Sequence, residues 1–183
     1  MIRLFVGIAL PQDVRERLAI LSTGLPGARW ITPENQHITL RFIGEVEEHL
    51  ADDINLALSA IGGPAFRFVI SGVETFGRGH RTHTLWARIE PEPALSVLQA
   101  KIEQALIRIG LEPERRKFTP HITLARIKGA QASKLARWLE ANGGLTAGPV
   151  TVTTFTLYRS YLGAGGAHYE ALSDYPLETE ESG

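Results

Sequence analysis

The tetrapeptide His-Ile-Thr-Leu occurs twice in this chain, from His37 to Leu40 and from His121 to Leu124, with the copies 84 residues apart. A polar/apolar alternation with a two-residue period puts His and Thr on one face of a β-strand and Ile and Leu on the other. Ile38, Leu40, Ile122 and Leu124 then belong to a core, while His37, Thr39, His121 and Thr123 form a polar surface. Imidazole is the side chain best suited to move protons near neutral pH. Two imidazoles with two hydroxyls, in a chain without cysteine, suit concerted acid–base chemistry on a phosphate ester. One imidazole takes a proton from the attacking water and the other gives one to the leaving oxygen. Hydroxyl donors meet the negative charge that grows on the non-bridging oxygens.

A lone strand histidine is an ordinary structural residue, and threonine suits a strand through its β-branch alone. The doubling in register is what points to function, and the flanks support it: Arg41 follows the first copy and Arg126 the second. Arg41 has an even offset from His37 and is expected on the same face. Arg126 has an odd offset from His121, so a regular strand turns it away; it reaches a phosphate only if the strand bends or ends. Among the aromatics Phe42, Phe76, Phe118 and Tyr158, the ones beside motif segments that could stack on a nucleobase are Phe118 and Tyr158. The other two read as core. His80 and His83 have a spacing that binds metal on a helix, but Gly77 and Gly79 argue against a helix, and no carboxylate cluster stands nearby in sequence. His49 and His168 read as structural or exposed. Glu45 and Glu74 form no evident catalytic pair, and Gly77-Arg78-Gly79 lacks the strand–loop–helix setting of a phosphate-binding loop.

The elements that must hold these residues alternate between classes. Strands are predicted over residues 2–10, 29–31, 36–43, 66–73, 84–89, 118–126, 150–160 and 167–172. Helices are predicted over 11–21, 47–61, 93–109 and 133–140. The third helix has the clearest repeat, with Leu95, Leu98, Ile102, Leu106 and Ile109 at helical spacing and Gly110 as its stop. This pattern is α+β, with two halves that echo each other around the two motifs. Residues 1–176 are expected to form one domain and 177–183 a frayed acidic tail.

The pieces Arg3-Leu4-Phe5-Val6-Gly7-Ile8, His37-Ile38-Thr39-Leu40-Arg41-Phe42-Ile43-Gly44, Thr119-Pro120-His121-Ile122-Thr123-Leu124-Ala125-Arg126 and Leu157-Tyr158-Arg159-Ser160 together resemble the two-histidine phosphoesterases. Within that superfamily the chain is similar to the RNA 2',3'-cyclic phosphodiesterases, also called 2'-5' RNA ligases. The resemblance implies a bilobal fold of two antiparallel sheets with outer helices and pseudo-two-fold symmetry around a central cleft. It implies hydrolysis of RNA 2',3'-cyclic phosphate ends to 2'-phosphates, with reversible 2'-5' ligation, no metal and no cofactor. His37 and His121 would be catalytic, with His37 as acid and His121 as base. The resemblance carries Arg126 over as a substrate contact, and from their strand faces and positions Thr39, Thr123, Arg41, Phe118 and Tyr158 are expected to bind substrate as well. Two alternatives remain open: the same fold acting on 2'-5' oligonucleotides or small cyclic nucleotides, and a non-catalytic nucleotide- or RNA-binding module.

Bulk properties fit this reading. The chain of 183 residues is 44% hydrophobic and 21% charged, ordinary for a globular domain. Its formal net charge of −1 advertises no global attraction to nucleic acid, so any such contact must be a local patch. The absence of cysteine fits a reducing compartment. No apolar run approaches the roughly 18 residues of a membrane span. A cytoplasmic monomer is the expectation.

Overall fold

The computed structural model describes residues 1–179. Fifteen elements of chain become four helices, two short 3-10 turns and nine strands among the described residues. The strands are β1 (Ile2–Ala9), β2 (Ala28–Trp30), β3 (His37–Val46), β4 (Phe66–Phe76), β5 (Thr84–Ile89), β6 (His121–Ile127), β7 (Thr146–Val152), β8 (Thr154–Gly163) and β9 (Gly166–Pro176). The helices are α1 (Gln12–Leu21), α2 (Glu48–Ser59), α3 (Pro93–Arg108) and α4 (Ala132–Asn142). No helix among the described residues is long and apolar enough to cross a membrane.

The strands run in the spatial order β7-β4-β5-β6-β3-β1-β8-β9, with β2 beside β6. The named pairings are antiparallel. The halves β6-β5-β4-β7 and β3-β1-β8-β9 are the two expected lobes. Among the described residues their strands pair only at the inner edges β3 and β6, through the single registered pair Ile38↔Ile122. Both residues are fully buried. Helices α2 and α3 pack together, with α3 against β3 and α2 against β9; α4 packs against β4 and α1 against β7. Helix α3 shows why its residues form that element. Pro93 fills the first turn, the Glu92 carboxylate accepts from the Ala94 N–H, and Leu95, Leu98, Ile102 and Leu106 bury one face.

The sequence pattern merges β7 and β8 into one strand, and the structure divides them at Thr153. Residues up to Val152 pair with β4 in one lobe, and residues from Thr154 onward pair with β1 and β9 in the other. The chain thus changes lobes without a change in β-forming composition. The expected frayed tail also begins too early. Leu177 is buried in the core, and Glu178 pairs with Pro64. Residues 180–183 lie outside the described residues.

Each motif strand carries a β-bulge at the same place. Against β1, Thr39 faces Gly7 and Arg41 faces Val6, so Leu40 is the extra residue. Against β5, Thr123 faces Trp86 and Ala125 faces Leu85, so Leu124 is the extra residue. An inserted residue inverts the in/out alternation beyond it. Gly7 lies at the first of these sites, and a β-carbon there would stand 2.8 Å from the Ile38 carbonyl oxygen and 3.4 Å from the His37 ring. Gly7→Ala should therefore force β1 away from the motif strand, at a cost of about 1–3 kcal/mol for an overpacked site. Denaturant unfolding measures it; an unchanged midpoint would show that the strand pair yields without strain.

Candidate active site

His37 and His121 each open a strand, and each is held in the same way. His37 Nδ1 lies 2.7 Å from the Asn35 carbonyl oxygen, and His121 Nδ1 lies 2.7 Å from the Thr119 carbonyl oxygen. A carbonyl can only accept, so Nδ1 carries the proton in both rings and Nε2 is the working nitrogen. Upstream of His37, the 3-10 turn Pro33–Asn35 presents that carbonyl, and the Asn35 side-chain amide donates to the Ala167 carbonyl at 2.7 Å. Upstream of His121, Pro120 precedes the strand.

The antiparallel pair Ile38↔Ile122 decides the rest. In that register Thr123 comes opposite His37, and Thr39 opposite His121. Each imidazole therefore shares its strand face with the threonine of its own strand and stands across from that of the other. Thr39 Oγ1 is 2.8 Å from His37 Nε2. A cavity of about 340 Å³ brings His37, Thr39, His121, Thr123 and Arg126 together, with Asn35 and Tyr169 on its wall. A second cavity of about 450 Å³ adjoins it and shares Thr39, Phe42 and His121. The two histidines and two threonines predicted from the repeat thus line one site.

The bulges reverse the expectations for the two arginines. Arg126, expected on the far face, lies in the first cavity because the extra Leu124 turns it back. Its guanidinium donates to Thr84 Oγ1 at 3.1 Å, and the Thr84 side chain is buried. Arg41, expected beside His37, is turned by Leu40 toward the helices. It is only 7% exposed and forms an ion pair with Glu103 of α3 at 2.5 Å. It also donates to the carbonyls of Phe42 and Glu112. Although its stem borders the second cavity, its charge is spent on the scaffold, and a substrate-binding role does not fit. Phe118 lines the second cavity as expected. Tyr158 lines neither cavity; it stacks behind Phe5 at 4.9 Å and stands 6.2 Å from the His37 ring. It backs the aromatic wall behind the imidazole, and the substrate-binding role expected for it does not fit this position.

Several site residues carried no sequence signal strong enough to single them out. Phe5 and Tyr169 pack on His37, with ring centroids at 4.8 and 5.3 Å. Phe76 and Trp86 pack edge-on to His121, at 5.1 and 5.6 Å. Phe42 is exposed and borders both cavities, under the Arg3 guanidinium at 5.0 Å. A usable signal existed for Phe42: it follows His37 by the same five residues that separate Arg126 from His121.

These aromatic walls set the electrostatics. Burial pushes the His37 imidazole down from 6.5 to about 4, aided by the positive charges of His121 and Arg15 and opposed by the Asn35 carbonyl. His121 is lowered by burial as well, with Arg126 adding to the effect and the Thr119 carbonyl opposing it. Both rings are neutral in the free protein at neutral pH. An anion placed between them favours protonation of one. Among the described residues no group of three His, Asp or Glu side chains could hold a metal ion. His83 borders the second cavity, and its Nδ1 meets Thr84 Oγ1 at 2.8 Å; His80 lies in an exposed 3-10 turn.

Comparison with known proteins identifies the family of the chain. Residues 25–164 match the model of the 2'-5' RNA ligase superfamily. The chain is 36% identical over 171 residues to an RNA 2',3'-cyclic phosphodiesterase of Aeropyrum pernix, covering 92% of this chain and 96% of that one. It is 29% identical to the Escherichia coli RNA 2',3'-cyclic phosphodiesterase, with 96% of each covered. Its fold superposes on crystalline E. coli LigT complexed with 3'-AMP with a TM-score of 0.77 at 28% identity, covering 96% of this chain and 98% of that one. A crystal structure of a Thermus thermophilus protein gives 0.79 at 27% identity, covering 98% and 100%. The matched stretch contains both His-Ile-Thr-Leu strands and the junction that joins them, and on that span the chain belongs to the 2'-5' RNA ligase superfamily.

Proposed function

We propose that this protein is an RNA 2',3'-cyclic phosphodiesterase that opens the cyclic phosphate at an RNA end to leave a 2'-phosphate, and that it can run the same ring opening with a 5'-hydroxyl in place of water to form a 2'-5' link, a reaction that is reversible. The observation that carries this reading is the pair of Nδ1-anchored imidazoles that share one cavity with two threonines and Arg126. The curated relatives of A. pernix and E. coli bear the name of this activity. The reading takes the enzyme as a cytoplasmic monomer acting on RNA or oligonucleotide ends.

His121 acts as base and His37 as acid. His121 borders both cavities, so water reaches it from the wider one, while His37 borders only the inner one and is packed among aromatic rings. A depressed pKa makes the His37 imidazolium a strong proton donor, and the phosphodiester anion beside it supplies the charge that lets it hold a proton. Water loses a proton to His121 Nε2 as its oxygen attacks phosphorus. The bond from phosphorus to O3' breaks, and O3' takes the proton of His37. Thr39, Thr123 and Arg126 meet the non-bridging oxygens, where donors placed in advance are worth most.

Replacing His37 or His121 with Ala should lower kcat by about 10²–10⁴-fold, the usual worth of one proton-transfer group, with the fold retained. Thr39→Ala and Thr123→Ala should cost less, since each removes one neutral donor. A substrate with an activated leaving group needs no acid. It should rescue His37→Ala and leave His121→Ala impaired; equal rescue of both would reverse or dissolve the assignment. Activity on a 2',3'-cyclic mononucleotide should survive EDTA. Loss on chelation, with recovery on adding zinc or manganese, would overturn the mechanism.

The pH dependence follows from the lowered imidazoles. The bell for kcat/KM, which reports the free enzyme, should peak on the acid side of 6.5 because both rings are shifted down. The bell for kcat should lie higher, since bound phosphate favours the protonated rings. Stability carries the same sign. His37 titrates at about 4 in the folded chain against 6.5 unfolded, so the unfolded state binds the proton first. Stability present above pH 6.5 is lost as pH falls toward 4, by roughly 3 kcal/mol at one such group. Unfolding of His37→Asn measured between pH 7 and 4 should show a shallower loss than the parent, and parallel curves would refute the assigned burial.

A further inference from the structure

We propose that Asn35 is a positioning residue that ties His37 to the β8–β9 hairpin, so that the placement of that hairpin over the first cavity sets the aim of the catalytic acid. The inference rests on the phosphodiesterase reading above, with His37 as its acid. Asn35 makes two bonds of different kinds. Its backbone carbonyl accepts from His37 Nδ1 at 2.7 Å, and its side-chain amide donates at 2.7 Å to the Ala167 carbonyl, 132 residues away in sequence. The 3-10 turn stiffens the segment between them. Its backbone bonds run from the Asn35 N–H to the Thr32 carbonyl and from the Gln36 N–H to the Pro33 carbonyl. A shift at Ala167 therefore reaches the imidazole through one residue.

The hairpin needs an outside hold. β8 pairs with β1 from Thr156 to Ser160. Beyond Ser160 its partner among the described residues is β9 alone: Tyr161 faces His168, Leu162 faces Ala167 and Gly163 faces Gly166. A free two-stranded ribbon is marginal in water. Two side chains from outside meet this one. The Asn35 amide holds Ala167, and the Arg29 guanidinium lies against the tip, where a β-carbon on Gly166 would stand 3.2 Å from its terminal nitrogen. Side chains alternate along the ribbon, and Ser160, Leu162, Ala167 and Tyr169 share its inner face and line the first cavity. Tyr169 sets its ring edge-on to His37 at 5.3 Å. Leu162 stays 70% exposed at the mouth, although apolar. On the outer face Tyr161 donates to Glu170 at 2.8 Å under the Arg159 guanidinium, which braces the ribbon from behind.

The anchor of the base stands elsewhere. Thr119, whose carbonyl holds His121, lies on the wall of the second cavity, which the hairpin does not line. A shift of the hairpin thus acts on the acid and leaves the base in place. An imidazole turned by a small angle remains in the cavity but gives its proton along a poorer line, and hydrogen bonds weaken steeply off their axis. A nucleoside seated against Leu162 and Tyr169 holds the hairpin down, and Asn35 passes that placement to His37.

The test measures hydrolysis of adenosine 2',3'-cyclic phosphate by a set of variants. Asn35→Ala removes the side-chain bond and keeps the carbonyl; Asn35→Asp keeps the shape and puts an acceptor where the donor was. Each should lower kcat about tenfold, with KM within about threefold of the parent and an unfolding midpoint near that of the parent. A shortened hairpin, with Asn-Gly in place of residues 162–167, should lose kcat to the same order. Coupling separates positioning from structure. Added to the shortened hairpin or to His37→Ala, Asn35→Ala should change kcat by less than about twofold, because the tie then has nothing to hold or nothing to aim. An unchanged kcat in Asn35→Ala overturns the proposal, as does a full cost that persists in either background, the mark of a merely structural residue. Failure of the parent to hydrolyse the cyclic mononucleotide would instead remove the phosphodiesterase reading beneath it.

Discussion

The single backbone pair between Ile38 and Ile122 is the constraint on which the site depends. Each isoleucine is the second residue of its motif, so one antiparallel contact fixes four polar side chains at once. It crosses the strands so that His of one copy stands opposite Thr of the other. Burial of both isoleucines holds the register, because a slip by one residue would send the histidines into the core and the isoleucines into the cleft. The lobes could have approached in many ways; this pairing is the one that brings two identical tetrapeptides to one cavity.

Symmetry at the junction is broken just beyond it. The bulges at Leu40 and Leu124 sit at matching positions, and each brings the fourth residue after its histidine to the helix side and the fifth to the cleft. In the first strand those residues are Arg41 and Phe42; in the second they are Ala125 and Arg126. One strand therefore spends its arginine on Glu103 and offers an aromatic ring to the cleft, and the other offers a guanidinium. The pseudo-symmetric frame carries two unlike walls, as a substrate with a charged phosphate and a flat base demands.

Burial of the imidazoles lowers their basicity, and at His37 it carries a cost in acid stability. Phe5, Tyr158 and Tyr169 exclude water from His37, which strengthens its interaction with an anion and disfavours its charge when no anion is there. Asn35 and Thr119 oppose that effect through their carbonyls, and they also fix the tautomer. The same few atoms thus set orientation, protonation state and acidity.

The repeat alone identified His37, Thr39, His121 and Thr123, because a two-residue period on a strand is a local property of the backbone and needs no partner. The helices were legible for the same reason, as with the buried face of α3. Three matters required the tertiary structure. The bulges inverted the parity expected for Arg41 and Arg126, since an extra residue in a strand is defined only by the strand it pairs with. Division of β7 from β8 at Thr153 was invisible, because residues 150–152 and the start of β8 read as one run of β-branched and aromatic residues and only their partners differ. The aromatic surroundings of each histidine came from β1, β4, β5, β8 and β9, distant in sequence, and nothing local marks a phenylalanine that will lie against an imidazole. What the sequence determined was the chemistry of each motif and the side it faces; which residues stand across from it was decided by strand pairing, a contact between segments that no local pattern encodes.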